Sequence, residues 1–244
     1  MKDYEGKEPS MAVTQIRKRL AEIGDPAKAA VLQRFFKTGP GQYAQGDLFR
    51  GIPVPVLRRL GRDYRDLSLP DVERLLRSPH HEDRLLALLI LIQIYANRDE
   101  DARERAYRLY LRNTRFINNW DLVDVSAEHI VGRFLVGRSK EPLTRLAKSK
   151  LLWERRIAIL STFHFIKNGQ FDETFRIAES LLGDEEDLIH KAVGWMLREV
   201  GKRDLEAEEQ FLKAHYRRMP RTMLRYAIER FPPHTRQAYL RGTI

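Results

Sequence analysis

The chain is 244 residues long, lacks cysteine and carries a formal net charge of +10, from 44 lysine and arginine residues against 34 aspartate and glutamate residues. A chain of this length can form a hydrophobic core that is stable without disulfide bonds or structural metal ions. The absence of cysteine excludes a disulfide framework, a thiolate zinc site and a cysteine nucleophile. The basic charge suits a nucleic-acid partner, and by itself it suits equally a basic protein that binds none.

The start of the chain and its apolar runs bear on where the protein works. Residues 1–7 are charged and contain no apolar signal region. The longest largely apolar run, residues 85–94, is about half of what a membrane span requires, so it predicts a buried helix. We therefore expect a soluble protein of the cytoplasm with no membrane contact.

Apolar residues recur at helical spacing along nearly the whole chain, and alternating strand-like runs are missing, which predicts an all-α fold. After a polar tail over residues 1–9, residues 10–244 are expected to form a single domain. Asp25-Pro26 is an N-cap followed by proline at the first helical position, and it separates two early helices. Later helices are predicted over residues 54–64, 69–77, 81–97, 100–112, 119–135, 141–148, 150–167, 171–182, 185–201, 204–217, 220–230 and 233–241.

One segment, residues 38–53, departs from this helical pattern. It is too rich in glycine and proline for a helix and long for a connection in a compact domain. Its glycines do not match a phosphate-binding P-loop. We interpret it as a lip of a binding groove, with a purely structural Ω-loop as the alternative.

The predicted helix starts repeat with a period of about 36 residues. Alignment of these starts places four side chains at the same position of successive repeats, namely Arg84, Trp120, Arg156 and Lys191. This period is typical of helix pairs stacked into a curved α-solenoid of the HEAT-like or armadillo-like kind. A general helical bundle is the alternative. In the solenoid, the four residues would form a basic strip with one aromatic on the concave surface.

Two common kinds of catalytic site are not supported by the sequence. His80-His81-Glu82-Asp83 has the wrong spacing for a His-Glu-x-x-His zinc motif, and the other histidines are scattered. A Ser-His-Asp hydrolase needs a strand-to-helix turn, which an all-helical chain lacks. We therefore expect no metal and no cofactor.

Trp120 and Asp124 lie one helical turn apart, so an indole and a carboxylate share one helix face. Such a pair could grip a sugar and oppose a positive charge. Plainer readings remain for the neighbouring candidates. Trp195 could be core, Asp121 could complement the helix dipole, and Arg155 with Arg156 could be surface charge with packed stems.

Residues 120–124, 153–160 and 191–199 together resemble the AlkD-type DNA alkylation repair family, and the likeness extends over about residues 34–231. The resemblance implies a HEAT-like solenoid that excises cationic alkylated purines. It assigns the catalytic carboxylate to Asp124, the two site indoles to Trp120 and Trp195, and the contact with the lesion strand to Arg156. Two positions depart from the pattern, because members can carry a second aromatic at 119 and a tyrosine near 35, where this chain has Asn119 and Phe35.

The sequence thus predicts a monofunctional DNA glycosylase, a hydrolase of base excision repair that releases bases such as 3-methyladenine and 7-methylguanine. Its partner is double-stranded DNA containing alkylated purines, and we expect a monomer. The alternative is a non-catalytic HEAT-repeat protein that binds branched or distorted DNA, and a third possibility is a protein-binding scaffold. The predicted phosphate contacts are Arg84, Arg155, Arg156, Lys191 and Arg198.

Overall fold

The structure, a computed structural model, describes residues 10–244, and the predicted tail over residues 1–9 lies outside them. In this described part the regular elements are helices, and the sole strand-type pairing is an isolated parallel bridge between Leu48 and His80. The all-α prediction is confirmed. Among residues 10–244 no helix has the length and apolarity that a membrane crossing demands.

The chain divides into two compact units, unit 1 ending at Ser126 and unit 2 spanning Ala127–Ile244. The helices of unit 1 are α1 (Met11–Glu22), α2 (Pro26–Phe35), α3 (Val54–Asp63), α4 (Leu69–Leu76), α5 (His81–Asn97), α6 (Glu100–Arg112) and α7 (Trp120–Ala127), of which only the last residue, Ala127, belongs to unit 2. Unit 2 contains α8 (Glu141–Ala147), α9 (Leu152–Ser161), α10 (Phe163–Lys167), α11 (Asp172–Ser180), α12 (Asp187–Gly201), α13 (Leu205–His215), α14 (Arg221–Ala227) and α15 (Pro233–Arg241).

Local capping explains why the first helices begin where they do. The Ser10 side chain accepts a hydrogen bond from the Val13 amide at 3.3 Å at the start of α1. Asp25 accepts from the amides of Ala27 and Lys28, directly before Pro26, as the sequence predicted. These acceptors satisfy amides that have no partner within the helix.

Unit 1 is built around α5, which packs against α3, α4 and α6. The run of residues 85–94 lies in the middle of this core, and Leu86, Leu88, Ile90 and Leu91 have no solvent exposure. The prediction that this run is a buried helix is confirmed. The first turn of α5 is therefore fixed in the interior, where it can hold polar side chains in defined positions.

Unit 2 is built around α12, which packs against α9, α13 and α14. Gly194 allows a close approach of α12 to α14. A Cβ atom there would lie 2.4 Å from the Met223 carbonyl oxygen and 2.5 Å from the Tyr226 Cβ. Glycine at 194 thus lets two backbones touch beside Trp195.

Two helices that were predicted as continuous are interrupted, and the continuous predictions were wrong at these points. The helix predicted over 150–167 breaks at Thr162, where the hydroxyls of Ser161 and Thr162 donate to preceding carbonyl oxygens and compete with the helical pattern. The helix predicted over 119–135 contains a π-helical turn, Glu128–Gly132. Hydrophobic periodicity cannot predict the break or the π turn, because the spacing of apolar residues continues through both.

Candidate functional site

Helix α7 presents the indole and carboxylate that the sequence singled out, one helical turn apart. Trp120 begins the helix, and its amide donates to the Asn119 side-chain oxygen at 2.8 Å. Trp120 and Asp124 are both partly exposed. Asn119 is fully buried, so this departure from the family pattern caps the helix instead of offering a second aromatic surface.

An aromatic stack supports Trp120 from one side. Its indole stacks on Phe36 with ring centroids 5.4 Å apart, and Phe36 stacks in turn on Phe49 at 5.1 Å. Phe35 meets the edge of Trp120 at 6.2 Å and remains 62% exposed. Trp120 is thus fixed between a buried ring and an exposed one, which leaves an aromatic surface open to solvent.

A buried polar cluster lies behind this stack. The His81 Nε2 atom is 2.8 Å from the Asp121 carboxylate, and the His81 ring stacks on Phe49 at 4.5 Å. The His81 Nδ1 atom is 3.7 Å from Asp47, an ionic contact longer than a hydrogen bond. Asp47 also accepts from Asn118, which precedes α7, at 3.1 Å. The cluster ties the first turn of α5 to the start of α7.

The glycine-rich segment 38–53 belongs to this cluster through its second half. Asp47 and Phe49 are buried, and Leu48 pairs by backbone hydrogen bonds with Pro79 and His81. Gly51 adopts a positive φ of 78°, and a Cβ there would lie 2.1 Å from the Asp25 carbonyl oxygen. These contacts favour the structural Ω-loop for its second half, and the groove-lip role of the segment stays a prediction.

A cavity of about 340 Å³ opens beside the cluster in unit 1. Its walls include Phe36, Phe49 and Leu85, and its polar side includes Glu82 and Asp121. The Glu82 carboxylate accepts from the backbone amides of residues 50–52. The Glu82 carboxylate is therefore already engaged in holding the loop, while Asp121 is engaged by His81.

Asp124 acts electrostatically on its surroundings. The Tyr110 hydroxyl is fully buried and lies 3.0 Å from Ser126. Burial raises the pKa of Tyr110, and the negative charge of Asp124 raises it further. The Asp124 charge is thus felt inside unit 1, where a low dielectric strengthens its field.

In unit 2, one face of α12 carries three of the predicted site residues. Lys191, Trp195 and Arg198 follow at helical spacing and are all partly exposed. The Trp195 Nε1 atom donates to Glu199 at 3.2 Å, and its ring lies 5.9 Å from Phe163. Trp195 is therefore a partly exposed indole whose orientation is fixed by its neighbours. The alternative that it is a core residue does not hold.

Glu199 keeps its negative charge beside that indole. Burial raises its pKa, but ionic hydrogen bonds from Lys202 and Arg203 outweigh burial, so the net pKa of Glu199 is lowered. The carboxylate can therefore accept from the Trp195 ring at neutral pH, which fixes the ring's orientation.

The predicted phosphate contacts differ in what their guanidinium and ammonium groups already hold. Arg84 is 3% exposed and donates to Asp47 at 2.7 Å and to the Ser78 carbonyl at 3.0 Å. Arg155 holds the Asp184 carboxylate at 2.6 Å and two carbonyl oxygens. Because these donors already hold carboxylate and carbonyl oxygens within the protein, we do not propose Arg84 or Arg155 as a phosphate contact.

The other three predicted phosphate contacts, Lys191, Arg198 and Arg156, differ in their exposure and in their partners. Lys191 pairs with Asp187 one turn earlier at 2.7 Å and keeps a large exposed fraction. Arg198 pairs with Glu229 at the surface. Arg156 is only 5% exposed and donates to the Leu188 carbonyl, so it sits deeper than a typical phosphate contact.

Sequence reasoning did not identify the residues that support Trp120. Phe36 lies next to Phe35 at the end of α2, and Asp47 and Phe49 lie in the loop, where no periodicity marks them as buried. His81 was considered only as a metal ligand. Among residues 10–244 no group of three or more histidine, cysteine, aspartate or glutamate residues could hold a metal ion.

Comparisons with known proteins bear on the family and the fold. A family model described as DNA alkylation repair enzyme matches residues 16–231. A solved structure described as a predicted DNA alkylation repair enzyme from Enterococcus faecalis is similar, with a TM-score of 0.67 and 18% sequence identity over 86% of this chain and 97% of that chain. At this identity the likeness concerns the fold. The search of curated proteins found no match to this chain.

Proposed function

Because this chain belongs to the family of DNA alkylation repair enzymes, we propose that it is a monofunctional DNA glycosylase. It hydrolyses the N-glycosidic bond of cationic N3- and N7-alkylated purines in duplex DNA. It works in the cytoplasm as a monomer and without a cofactor. The resemblance inferred from the sequence is confirmed at the level of the family, and the reaction itself is the proposal.

The chemistry of such a substrate fits a site with one carboxylate. An alkylated purine carries a positive charge, so its bond to C1′ is weak and the base leaves as a neutral molecule with the bonding electrons. Water then adds to C1′ and releases a proton. A fixed carboxylate stabilises the oxocarbenium-like sugar and positions that water, and no general acid is required.

The observation that carries the proposal is the placement of Trp120 and Asp124 one turn apart on α7, both partly exposed, with Trp120 held from behind by the Phe36 ring. Asp124 is the carboxylate of the proposed reaction, and Trp120 adds cation–π attraction to the developing charge. The family resemblance assigns the second indole to Trp195 and the lesion strand to Arg156. Lys191 and Arg198 contact phosphates.

A base-release assay tests this proposal. Methylated duplex DNA is incubated with the protein, and released 7-methylguanine and 3-methyladenine are measured by chromatography. In Asp124→Asn the charge is lost while size is kept, so release should fall by about a hundredfold or more with little change in duplex affinity. Asp172→Asn, which removes an exposed carboxylate from the start of α11, is the matched control and should behave like the unaltered protein.

Two outcomes would contradict the proposed reaction. One is duplex binding without any base release, which would favour the binder of branched or distorted DNA. The other is efficient release of hypoxanthine, a neutral base that cannot leave without protonation. Lyase activity is not expected, since no lysine is among the residues assigned to the reaction, Trp120, Asp124 and Trp195.

A further inference from the structure

The contacts behind Trp120 form a continuous chain from charged groups to the indole. His81 bonds Asp121, the residue directly after Trp120, at 2.8 Å. Its ring also stacks on Phe49 at 4.5 Å and meets Phe36 at a tilt with ring centroids 5.1 Å apart, and the Trp120 indole stacks on Phe36 at 5.4 Å. His81 therefore touches both the backbone segment and the aromatic support that place Trp120.

We propose that His81 is a positioning residue for Trp120, holding the first turn of α7 through Asp121 and the loop 38–53 through Asp47. The inference rests on the proposed function for its effect on base release. The placement of Trp120 can be measured without that function. His81 itself is 2% exposed and touches no reacting atom in this scheme.

The geometry separates this role from ordinary core packing. A core ring would need no polar partners, whereas His81 lies between two carboxylates on different segments. Its Nδ1 atom is buried without a hydrogen-bond partner, although Asp47 lies 3.7 Å away. A neutral ring in such a place leaves a polar atom unsatisfied, while a protonated ring attracts both carboxylates.

The protonation state of His81 follows from the groups that face it. Burial lowers the pKa of His81 and the nearby Arg84 lowers it too, but Asp121 and Asp47 together outweigh them and raise it. The folded pKa thus lies above the ordinary value of 6.5. The ionic link is complete below about pH 6.5 and is lost as the pH rises through the folded pKa.

The decisive measurement is the environment of Trp120. Trp153 and Trp195 are the other two tryptophans, so the variant with both changed to phenylalanine reports Trp120 alone. Quenching of its fluorescence by acrylamide should be low below about pH 6.5 and should increase severalfold as His81 loses its proton. In His81→Gln, which cannot be protonated, quenching should be high and independent of pH.

Two further variants keep the test decisive. His80→Gln alters the neighbouring histidine, whose side chain has no carboxylate bond, and should leave the pH response of Trp120 unchanged. Asp121→Asn keeps an acceptor but removes one charge, so the midpoint of the response should move to lower pH. It also replaces His81→Gln as the test if circular dichroism shows that the glutamine variant is unfolded.

The same variants in the protein with all three tryptophans separate positioning from binding. Misplacement of Trp120 should lower kcat for base release about tenfold or more while the KM for duplex DNA changes little. Trp120 quenching that does not respond to pH, or that responds equally in His81→Gln, would overturn the inference. Absence of base release by the unaltered protein would overturn the proposed function alone, because the fluorescence result still decides the role of His81.

Discussion

Individual charged side chains acquire different roles from their partners, even where the sequence makes them look alike. Arg155 and Arg156 are adjacent, yet Arg155 forms an ion pair with the buried Asp184 carboxylate, whereas Arg156 donates to a carbonyl oxygen on α12. Lys191 pairs with Asp187 one turn away, and its side chain is 40% exposed. A buried ion pair is costly to break and fixes geometry, whereas an exposed cation can exchange its partner for a phosphate.

Glu208 illustrates the same point for a carboxyl group that no ion pair neutralises. It is 2% exposed, and its Oε1 atom is buried without a hydrogen-bond partner. Burial raises the pKa of Glu208 to about 8, an effect that the Arg198 charge opposes. The carboxyl is therefore protonated in the folded protein at neutral pH.

This gives a prediction for stability against pH. The folded state holds the Glu208 proton up to about pH 8, while the unfolded state releases it near the ordinary value of 4.5. The free energy of unfolding should therefore fall as the pH rises from about 4.5 to 8. Glu208→Gln should remove that part of the decline, raising Tm at pH 8 relative to pH 5 by roughly 2–4 °C for each kcal/mol recovered. Parallel Tm curves for both proteins from pH 5 to about pH 8 would contradict the assignment.

Helices and loops in this protein are placed by close backbone approaches as much as by apolar faces. Gly194 brings α12 against α14, and Gly51 brings the loop against the start of α2. The break at Thr162 and the π turn after α7 likewise depend on local hydrogen bonds. Gly194 directly precedes Trp195, and the loop that Gly51 holds supplies Phe49, which stacks on Phe36 beneath Trp120.

Gly194→Ala tests the approach of α12 to α14. The added Cβ would meet backbone atoms that cannot rotate away, so the two helices must separate, and the free energy of unfolding should fall by about 1–3 kcal/mol or more. Gly183→Ala is the matched control, because nothing lies within 4 Å of its added Cβ. Urea unfolding followed by circular dichroism measures both. Equal stability of the two variants would show that α12 and α14 do not meet at residue 194.

At the scale of the whole molecule, the net charge of +10 is the property that bears on DNA binding. A protein that neutralises several phosphates releases counterions, so its affinity falls linearly with salt on a logarithmic scale. Only cations that are free to exchange partners contribute to that slope. The structure therefore makes the salt dependence a test of which cations face the DNA.

Lys191→Ala should reduce the magnitude of the salt slope by about 0.9, the contribution of one phosphate contact. Lys213→Ala is matched to it, since Lys213 also pairs with a carboxylate one helical turn away in unit 2, and it should leave the slope unchanged. Titration of fluorescent duplex DNA at several salt concentrations gives both values. An unchanged slope in Lys191→Ala would remove this lysine from the proposed DNA surface, and a salt-independent affinity of the unaltered protein would favour the scaffold alternative.

The sequence by itself determined the all-α fold, most helix limits and the family. Helical periodicity and the Asp25-Pro26 cap are local signals, and local backbone hydrogen bonding makes them reliable. It also placed Trp120 and Asp124 on one face of α7, because one helical turn fixes that spacing. The joint role of Trp195 with these residues stays a prediction.

Only the tertiary structure decided which residues support the candidate site and which cations are already engaged. His81, Asp47 and Phe36 lie far apart in the chain, and no local pattern links them. Arg84 and Lys191 occupy equivalent positions of the predicted repeat, yet Arg84 is buried against Asp47 and Lys191 is partly exposed. Burial and ion pairing depend on contacts between distant segments, and residue spacing along a helix carries no information about them.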